Sequence, residues 1–418
     1  MIFPNLSTPL VKLDLTFEAG SRYQPQPCVA HAASRLIGEA TAAHSATSVA
    51  EFLDFRGIVV ERSADVCTSC LSFYFLRRYA AELLPLVREM VENPLLTPQM
   101  FTAFVSKRRQ QLETNALKTS QVARNIFYER LFGADHPMGV YARPEDVDRL
   151  TPQMITDFWR DRYQSTHDNP SPKYWITLSG HVDDNLLTLI NDNLNENENQ
   201  NENQNRLPPN SQFSVLNSQF SIDSQISRPS VQSSLRVGRV LPFQWNDPDP
   251  SKAPAQFSTL NSQFSILNTL LGGYFSSRLM SNLREDKGYT YGINSQVQIF
   301  RGPIVFFITA DVANDAVPDA LVQIDNELRR LQEERVSDEE LHRVCTYMRG
   351  DHLRSIDGIF ELAERHRQMA TMGIDKRFFD YLLQALETTT PDDIQRLARR
   401  FLSPEEMLHV VVGPGSDC

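Results

Sequence analysis

The apolar and polar positions of Leu10–Phe17 follow the short-period pattern of a strand. A helix is predicted over Cys28–Ala40. Ser48-Val49-Ala50-Glu51 has the spacing of a capping box and opens a second helix, which closes near Gly57. Strands Ile58–Glu61 and Cys70–Phe75 come next, then a long helix from Arg78 to Glu92. Further along, strands Tyr289–Ile299 and Ile304–Val312 flank the turn signal Gly302-Pro303, and so short a connection pairs strands antiparallel. Phe257, Leu260, Phe264, Leu267 and Leu271 fall at helical spacing and predict an amphipathic helix that terminates at Gly272-Gly273.

Segments of the pattern recur. Leu150–Tyr163 resembles Thr389–Leu402, and each is followed by an apolar strand ending in glycine, Tyr174–Ser179 before Gly180 and Leu408–Val412 before Gly413. A second pair of helices starts at Leu96 and Val336, 240 residues apart, against 239 for the first pair. Two independent matches at nearly one offset argue for a duplicated domain. The predicted fold is α+β, with two homologous halves, each an antiparallel-rich sheet with helices packed on one face. The halves are placed at 1–190 and 237–418. Between them, 191–236 is rich in Asn, Gln and Ser and lacks a core-facing pattern, so it is predicted to be a linker. The NSQFS heptad within it, from Asn210, supports at most a short, frayed helix.

Composition narrows the function. Forty-one basic against fifty-two acidic residues give a net charge of −11, without the electrostatic footprint of a nucleic-acid binder. No window is apolar enough to span a membrane, and the first residues lack a signal-peptide pattern. Five sparse cysteines suit a reducing compartment, so a cytoplasmic location is expected, or a periplasmic one if a signal segment precedes Met1. Cys67 and Cys70 have metal or redox spacing but no second pair, and are expected to be structural thiols. There is no phosphate-cradling loop, nucleophile elbow or dinucleotide fingerprint.

His31 lies on the first predicted helix. An H-x-x-E-H helix sets two histidines on one face to hold Zn²⁺, with the glutamate activating the bound water. Here Ser34 stands at the base position and Arg35 at the second ligand. Serine offers no carboxylate to take a proton, and a guanidinium repels the metal. Taken alone, His31 is an ordinary histidine on a helix face.

Several segments together resemble the pitrilysin/insulinase-type metallopeptidases, which include the mitochondrial processing peptidase. They are Gly20-Ser21-Arg22, Ala30-His31, Ser48–Phe55 with Gly57, and His136-Pro137-Met138-Gly139 after Leu131-Phe132-Gly133. The longest match runs from Leu271-Gly272-Gly273-Tyr274-Phe275-Ser276-Ser277-Arg278-Leu279 through Leu283-Arg284-Glu285 to Gly288-Tyr289-Thr290-Tyr291. The resemblance implies a two-half fold and a degenerate zinc motif. It places the family's glutamate ligand at Asn115, with Arg108 at a neighbouring acidic position. Glu113, two residues from Asn115, points about 160° away on a helix. It also implies that Arg284 and Tyr291 are the family's arginine–tyrosine pair, which binds substrate backbone and supports a tetrahedral intermediate. The plain alternative makes Arg284 a solvated residue and packs Tyr291 beside Ile293, Val297 and Ile299.

From this resemblance the chain is expected to be a noncatalytic, substrate-binding subunit of a two-chain zinc metallopeptidase. It would have no metal or cofactor of its own, and zinc would sit in a homologous partner with an intact H-x-x-E-H. Peptides or unfolded segments would be the substrate, with no nucleic-acid or membrane partner. Two other readings stand beside it: a structural or peptide-holding homodimer without hydrolysis, and a self-sufficient metallopeptidase with an atypical zinc site. Members of the family carry one more strand before Val11–Phe17, and that edge strand is expected to be missing here or encoded upstream.

Overall fold

Leu10–Phe17 forms the centre of a five-stranded sheet. The structure is a computed structural model that describes residues 1–164, 174–194, 223–227, 229–242, 254–374 and 377–414. The strands of the first sheet are β1 (Ile2–Pro4), β2 (Leu10–Phe17), β3 (Val59–Ala64), β4 (Ser69–Leu76) and β5 (Tyr174–Gly180), in the order β1-β5-β2-β4-β3. Only β1 with β5 is parallel. The expectation of a missing edge strand is thereby corrected. Three residues at the start of the chain supply it, too few to give a period-two signal.

The second sheet contains β6 (Asp223–Ser227), β7 (Gln232–Val240), β8 (Thr290–Ile299), β9 (Ile304–Ala313) and β10 (Leu408–Gly413), in the order β6-β10-β7-β9-β8. Again a parallel edge pair, β6 with β10, adjoins antiparallel neighbours. The two sheets therefore have the same topology, which matches the repeat. β6, β7 and a helix that runs from Asp184 to Leu194 narrow the predicted linker from both ends. The NSQFS heptad inside it lies outside the described residues.

The chain divides into two units that do not follow the midpoint. One comprises Met1–Thr114, Tyr141–Pro208 and Ile356–Thr371; the other comprises Asn115–Val140, Pro209–Ser355 and Met372–Cys418. The helix Thr119–Phe132 thus belongs with the second sheet, while the helix 240 residues later, Ile359–Met372, belongs with the first. Equivalent helices have been exchanged.

That exchange corrects the prediction of helices on one face. In the first unit Val11, Leu13, Leu15 and Phe17 point into an apolar core with Val29, Leu83, Val87, Phe158 and Leu186. Lys12, Asp14 and Thr16 point the other way and are also buried. There the Ile359–Met372 helix brings Glu364 to Lys12, at 3.0 Å, and stacks His366 on Phe3. In the second unit Phe306, Ile308, Ala310 and Val312 face a core with Leu235, Val237, Phe264, Leu328 and Phe401. Phe307 faces the Thr119–Phe132 helix, its ring 6.1 Å from that of Phe127.

The predicted amphipathic helix spans Pro254–Asn268 and buries Phe264 and Leu267; it continues through a wider turn, Thr269–Gly273, that buries Leu271. Gly272 is required there. A Cβ would lie 2.7 Å from both the backbone nitrogen and Oγ of Ser295 on β8. The helix opened near Ser48 starts one turn earlier, capped by Ser45 Oγ accepting from the Ser48 N–H at 3.2 Å, and closes at Gly57, φ 63°.

Candidate functional site

His31, Ser34 and Arg35 sit on one short helix, Val29–Leu36, begun by Cys28 at φ 78°. Trp159 Nε1 fixes that helix by donating to the Ala33 carbonyl at 2.9 Å. Ser34, 2% exposed, is turned into the protein, where its hydroxyl donates to the Ser63 carbonyl of β3 at 3.0 Å. It is packing, not a base. Arg35 is exposed. The His31 ring is half-buried, 6.0 Å from that of Phe104. Burial, then the positive charges of Arg108 and Arg35, pushes its pKa down to about 4. The imidazole is thus neutral near pH 7, but its charged neighbours are cations.

Asn115 is half-buried in the last turn of the helix Pro98–Leu117, and offers an amide where the resemblance expects a carboxylate. Glu113 is exposed and tied to Arg109 Nε at 3.0 Å. Among the described residues no three His, Cys, Asp or Glu side chains gather as a metal site requires. The residues around His31 do not fit zinc: one neutral ligand, two nearby cations and a serine already committed to the backbone. Cys67 and Cys70 form no disulfide among the described residues; Cys70 is buried on β4, with the Thr16 hydroxyl 3.7 Å away, and burial raises its pKa.

A direct expectation follows. The double variant Ser34→Glu, Arg35→His should still hold no stoichiometric zinc by metal analysis. It should also be less stable than the parent, because the new carboxylate enters a site 2% exposed, at a cost of about 1–3 kcal/mol. One tightly held zinc per chain in either protein would contradict the reading of this helix.

Arg284 lies on the turn Met280–Asp286, which packs against β8, the strand that carries Tyr291. β8 pairs Thr290 with Val312 and Ile293 with Ala310, so Tyr291 and Gly292 together stand opposite Asp311. This is a β-bulge. Thr290 Oγ1 stitches it, lying 2.7 Å from the Asp311 carbonyl oxygen and accepting from the Gly292 N–H at 3.1 Å. In an unbroken strand Tyr291 would share the core face of Ile293. The extra residue turns it off that face, and it is 89% exposed. The alternative that packs Tyr291 beside Ile293, Val297 and Ile299 is overturned. The Arg284 guanidinium lies 4.8 Å from the ring centroid of Phe275, itself 61% exposed, and makes no ion pair among the described residues.

Much of the remaining motif is architectural. Arg278 is held by Glu340 through two bonds of 2.8 Å. In the His136-Pro137-Met138-Gly139 segment the His136 ring stacks on Phe132 at 5.1 Å, and a Cβ on Gly139 would collide with the Gly133 carbonyl. What sequence reasoning missed is Phe275, which looked like one apolar residue among several; neither its exposure nor its contact with Arg284 leaves a periodic signal.

The chain resembles known proteins along most of its length. A family model described as the peptidase M16 inactive domain matches residues 176–348. A protein of Streptomyces coelicolor named as a zinc protease is 24% identical over 297 residues, 70% of this chain and 60% of that protein. The chain therefore spans less than two thirds of that relative. A Mycobacterium tuberculosis protein of the same description is 21% identical over 383 residues, 90% of this chain and 81% of its own. The crystal structure of a peptidase M16 inactive domain from Pseudomonas fluorescens superposes with a TM-score of 0.81 at 18% identity, covering 99% of this chain and 95% of that one.

Proposed function

This chain belongs to the M16 peptidase family and is of its inactive-domain type, and from that premise we propose that it is the noncatalytic, substrate-binding subunit of a two-chain zinc peptidase. It holds an extended peptide or unfolded segment and presents Arg284 and Tyr291 to the zinc site of a homologous partner with an intact H-x-x-E-H. The observation that carries the reading is the bulge that holds Tyr291 at 89% exposure on the strand beside the Arg284 turn. A bulge re-aims a side chain, and here it leaves the Tyr291 ring and hydroxyl accessible to a ligand beside the Arg284 turn. The guanidinium and the phenol are donors of the kind that stabilise an oxyanion as it forms. The phenol needs no proton loss for that role.

The helix of His31 supports the same division of labour, since Ser34 and Arg35 leave nothing to activate water. The test is reconstitution: peptide cleavage by this chain alone, by an H-x-x-E-H subunit recovered with it, and by the two mixed. Cleavage is expected only, or at least tenfold faster, in the mixture. Cleavage by this chain alone would favour an atypical self-sufficient enzyme. A homodimer that binds peptide and recruits no subunit would favour the structural alternative.

A further inference from the structure

On the face of the second sheet opposite its core the Thr119–Phe132 helix lies over β10 and β7, and its Phe127 and Tyr128 reach Phe307 of β9 and Gln298 of β8. An opening remains between the helix and these strands. The opening is a cavity of about 430 Å³, lined by Arg124 and Tyr128 of the helix and Arg236, Gln296, Gln298 and Thr309 of the strands, with Phe307 as its floor. The lining contains no carboxylate. Tyr128 donates its hydroxyl to Gln298 Oε1, which leaves the Gln298 amide NH₂ as a donor. The charged and amide groups are donors: two guanidiniums and the Gln298 amide, beside the Thr309 hydroxyl.

Among the described residues, Arg124 and Arg236 make no ion pair; each lies against a ring instead, Arg236 at 5.0 Å from the Phe307 centroid and Arg124 at 6.0 Å from that of Tyr128. Asp311 of the neighbouring strand β9 accepts from the Ser234 hydroxyl at 2.5 Å and reaches Arg236 only through its charge, without an ion pair. Burial lowers the Arg236 pKa and the charge of Arg124 adds to that, while Tyr128 and Asp311 push the other way. A half-buried guanidinium kept without a counter-ion costs stability unless something else supplies the charge. On a chain of net charge −11, which repels anions in general, two unpaired arginines around one cavity form a local exception.

We propose that this cavity is a binding site for an oxyanion, a phosphate or a carboxylate, gripped by Arg236 and Arg124 with the Gln298 amide and the Thr309 hydroxyl completing the donors. The site is independent of the subunit reading above, because it needs neither a partner nor Arg284 or Tyr291. Planar guanidiniums match the paired oxygens of both groups.

The experiment is calorimetric titration of the full chain at fixed ionic strength. One probe is inorganic phosphate; the others are a short peptide with a free C-terminal carboxylate and the same peptide amidated. Saturable one-to-one binding of phosphate or of the free-carboxylate peptide is expected, and which of the two binds tells a small anion from a chain end. Arg236→Gln should weaken that binding about tenfold or more and leave the melting temperature of the unliganded chain unchanged or higher, since an unpaired half-buried charge is removed. A structural arginine would show the reverse, a lower melting temperature. The proposal is overturned if phosphate does not bind saturably at millimolar concentration and the free-carboxylate peptide binds no better than the amidated one, or if Arg236→Gln binds the anion like the parent.

Discussion

Tyr291→Phe and Arg284→Ala are each expected to lower turnover by the assembled complex about a hundredfold, with the stability of this chain almost untouched. The separation of the two effects follows from the geometry. Tyr291 is 89% exposed on a bulge, so loss of its hydroxyl removes no buried hydrogen bond, and the stability change should stay within about 0.5 kcal/mol. Arg284 gives up its contact with the Phe275 ring at 4.8 Å, worth about 0.5–1 kcal/mol at an exposed site. Donors aimed at a charge that exists only in the transition state are lost mainly from the rate, not from binding or folding. Thermal melting of each variant and peptide cleavage by each complex form the paired measurement. Normal turnover in both variants removes the pair from the mechanism and leaves a peptide-holding protein as the better description.

The expectation of a pair was legible because the motif around Arg284 and Tyr291 is long. The bulge that makes the pair plausible was not. Period-two counting from Ile293 puts Tyr291 on the core face, and one inserted residue reverses the answer without changing any residue type. The duplication was legible for the opposite reason. Helices 240 residues apart share their amphipathic pattern, and the structure gives their sheets one strand order. What the repeat could not tell is which sheet each copy of a helix covers. Thr119–Phe132 and Ile359–Met372 pack on the sheet of the other half, a choice made by long-range contacts that leave no local signature.

The same limit explains Ser34. Its loss of the carboxylate was plain in the sequence, but its new role, a hydroxyl bonded to the Ser63 carbonyl, depends on β3 passing beside the helix. Lys12, Asp14 and Thr16 are the sharpest case. Interleaved with Val11, Leu13, Leu15 and Phe17, they have the pattern of a solvated strand face, yet all three are less than 5% exposed. Periodicity separates apolar from polar faces. It cannot separate water from a charged helix as the cover.

Lys12→Met is therefore expected to be among the most destabilising single changes in the chain, although it replaces a charged residue with an apolar one in a buried place. Lys12 Nζ lies 3.3 Å from Asp14 Oδ2 and 3.0 Å from Glu364 Oε2, and Arg367 grips Glu364 from the other side, at 3.0 Å from Nε. Asp14 is fully buried, with the Ser72 hydroxyl donating to its other oxygen at 2.6 Å. Removing the ammonium leaves that carboxylate without its close cation, which costs about 3–5 kcal/mol where a buried pair is broken from one side. Lys12→Met with Asp14→Asn should recover most of the loss, because the amide still accepts from Ser72 and no charge is stranded.

The pH dependence distinguishes this account from simple loss of packing. Burial opposes ionisation of Glu364, yet Arg367 and Lys12 hold its pKa down to about 2. Its contribution is thus present above the ordinary carboxylate range and is lost as pH falls toward 2. Asp14 has the opposite sign: burial raises its pKa in spite of Lys12 and Ser72, and without Lys12 it should rise further. The folded Lys12→Met chain then takes up a proton at Asp14 more readily than the unfolded chain does, so acidification should narrow its stability gap to the parent. Urea midpoints of the two proteins across mildly acidic to neutral pH measure that gap. A gap that stays constant as the pH falls would mean that the loss comes from packing of the lysine stem, and that Asp14 does not depend on Lys12 for its charge.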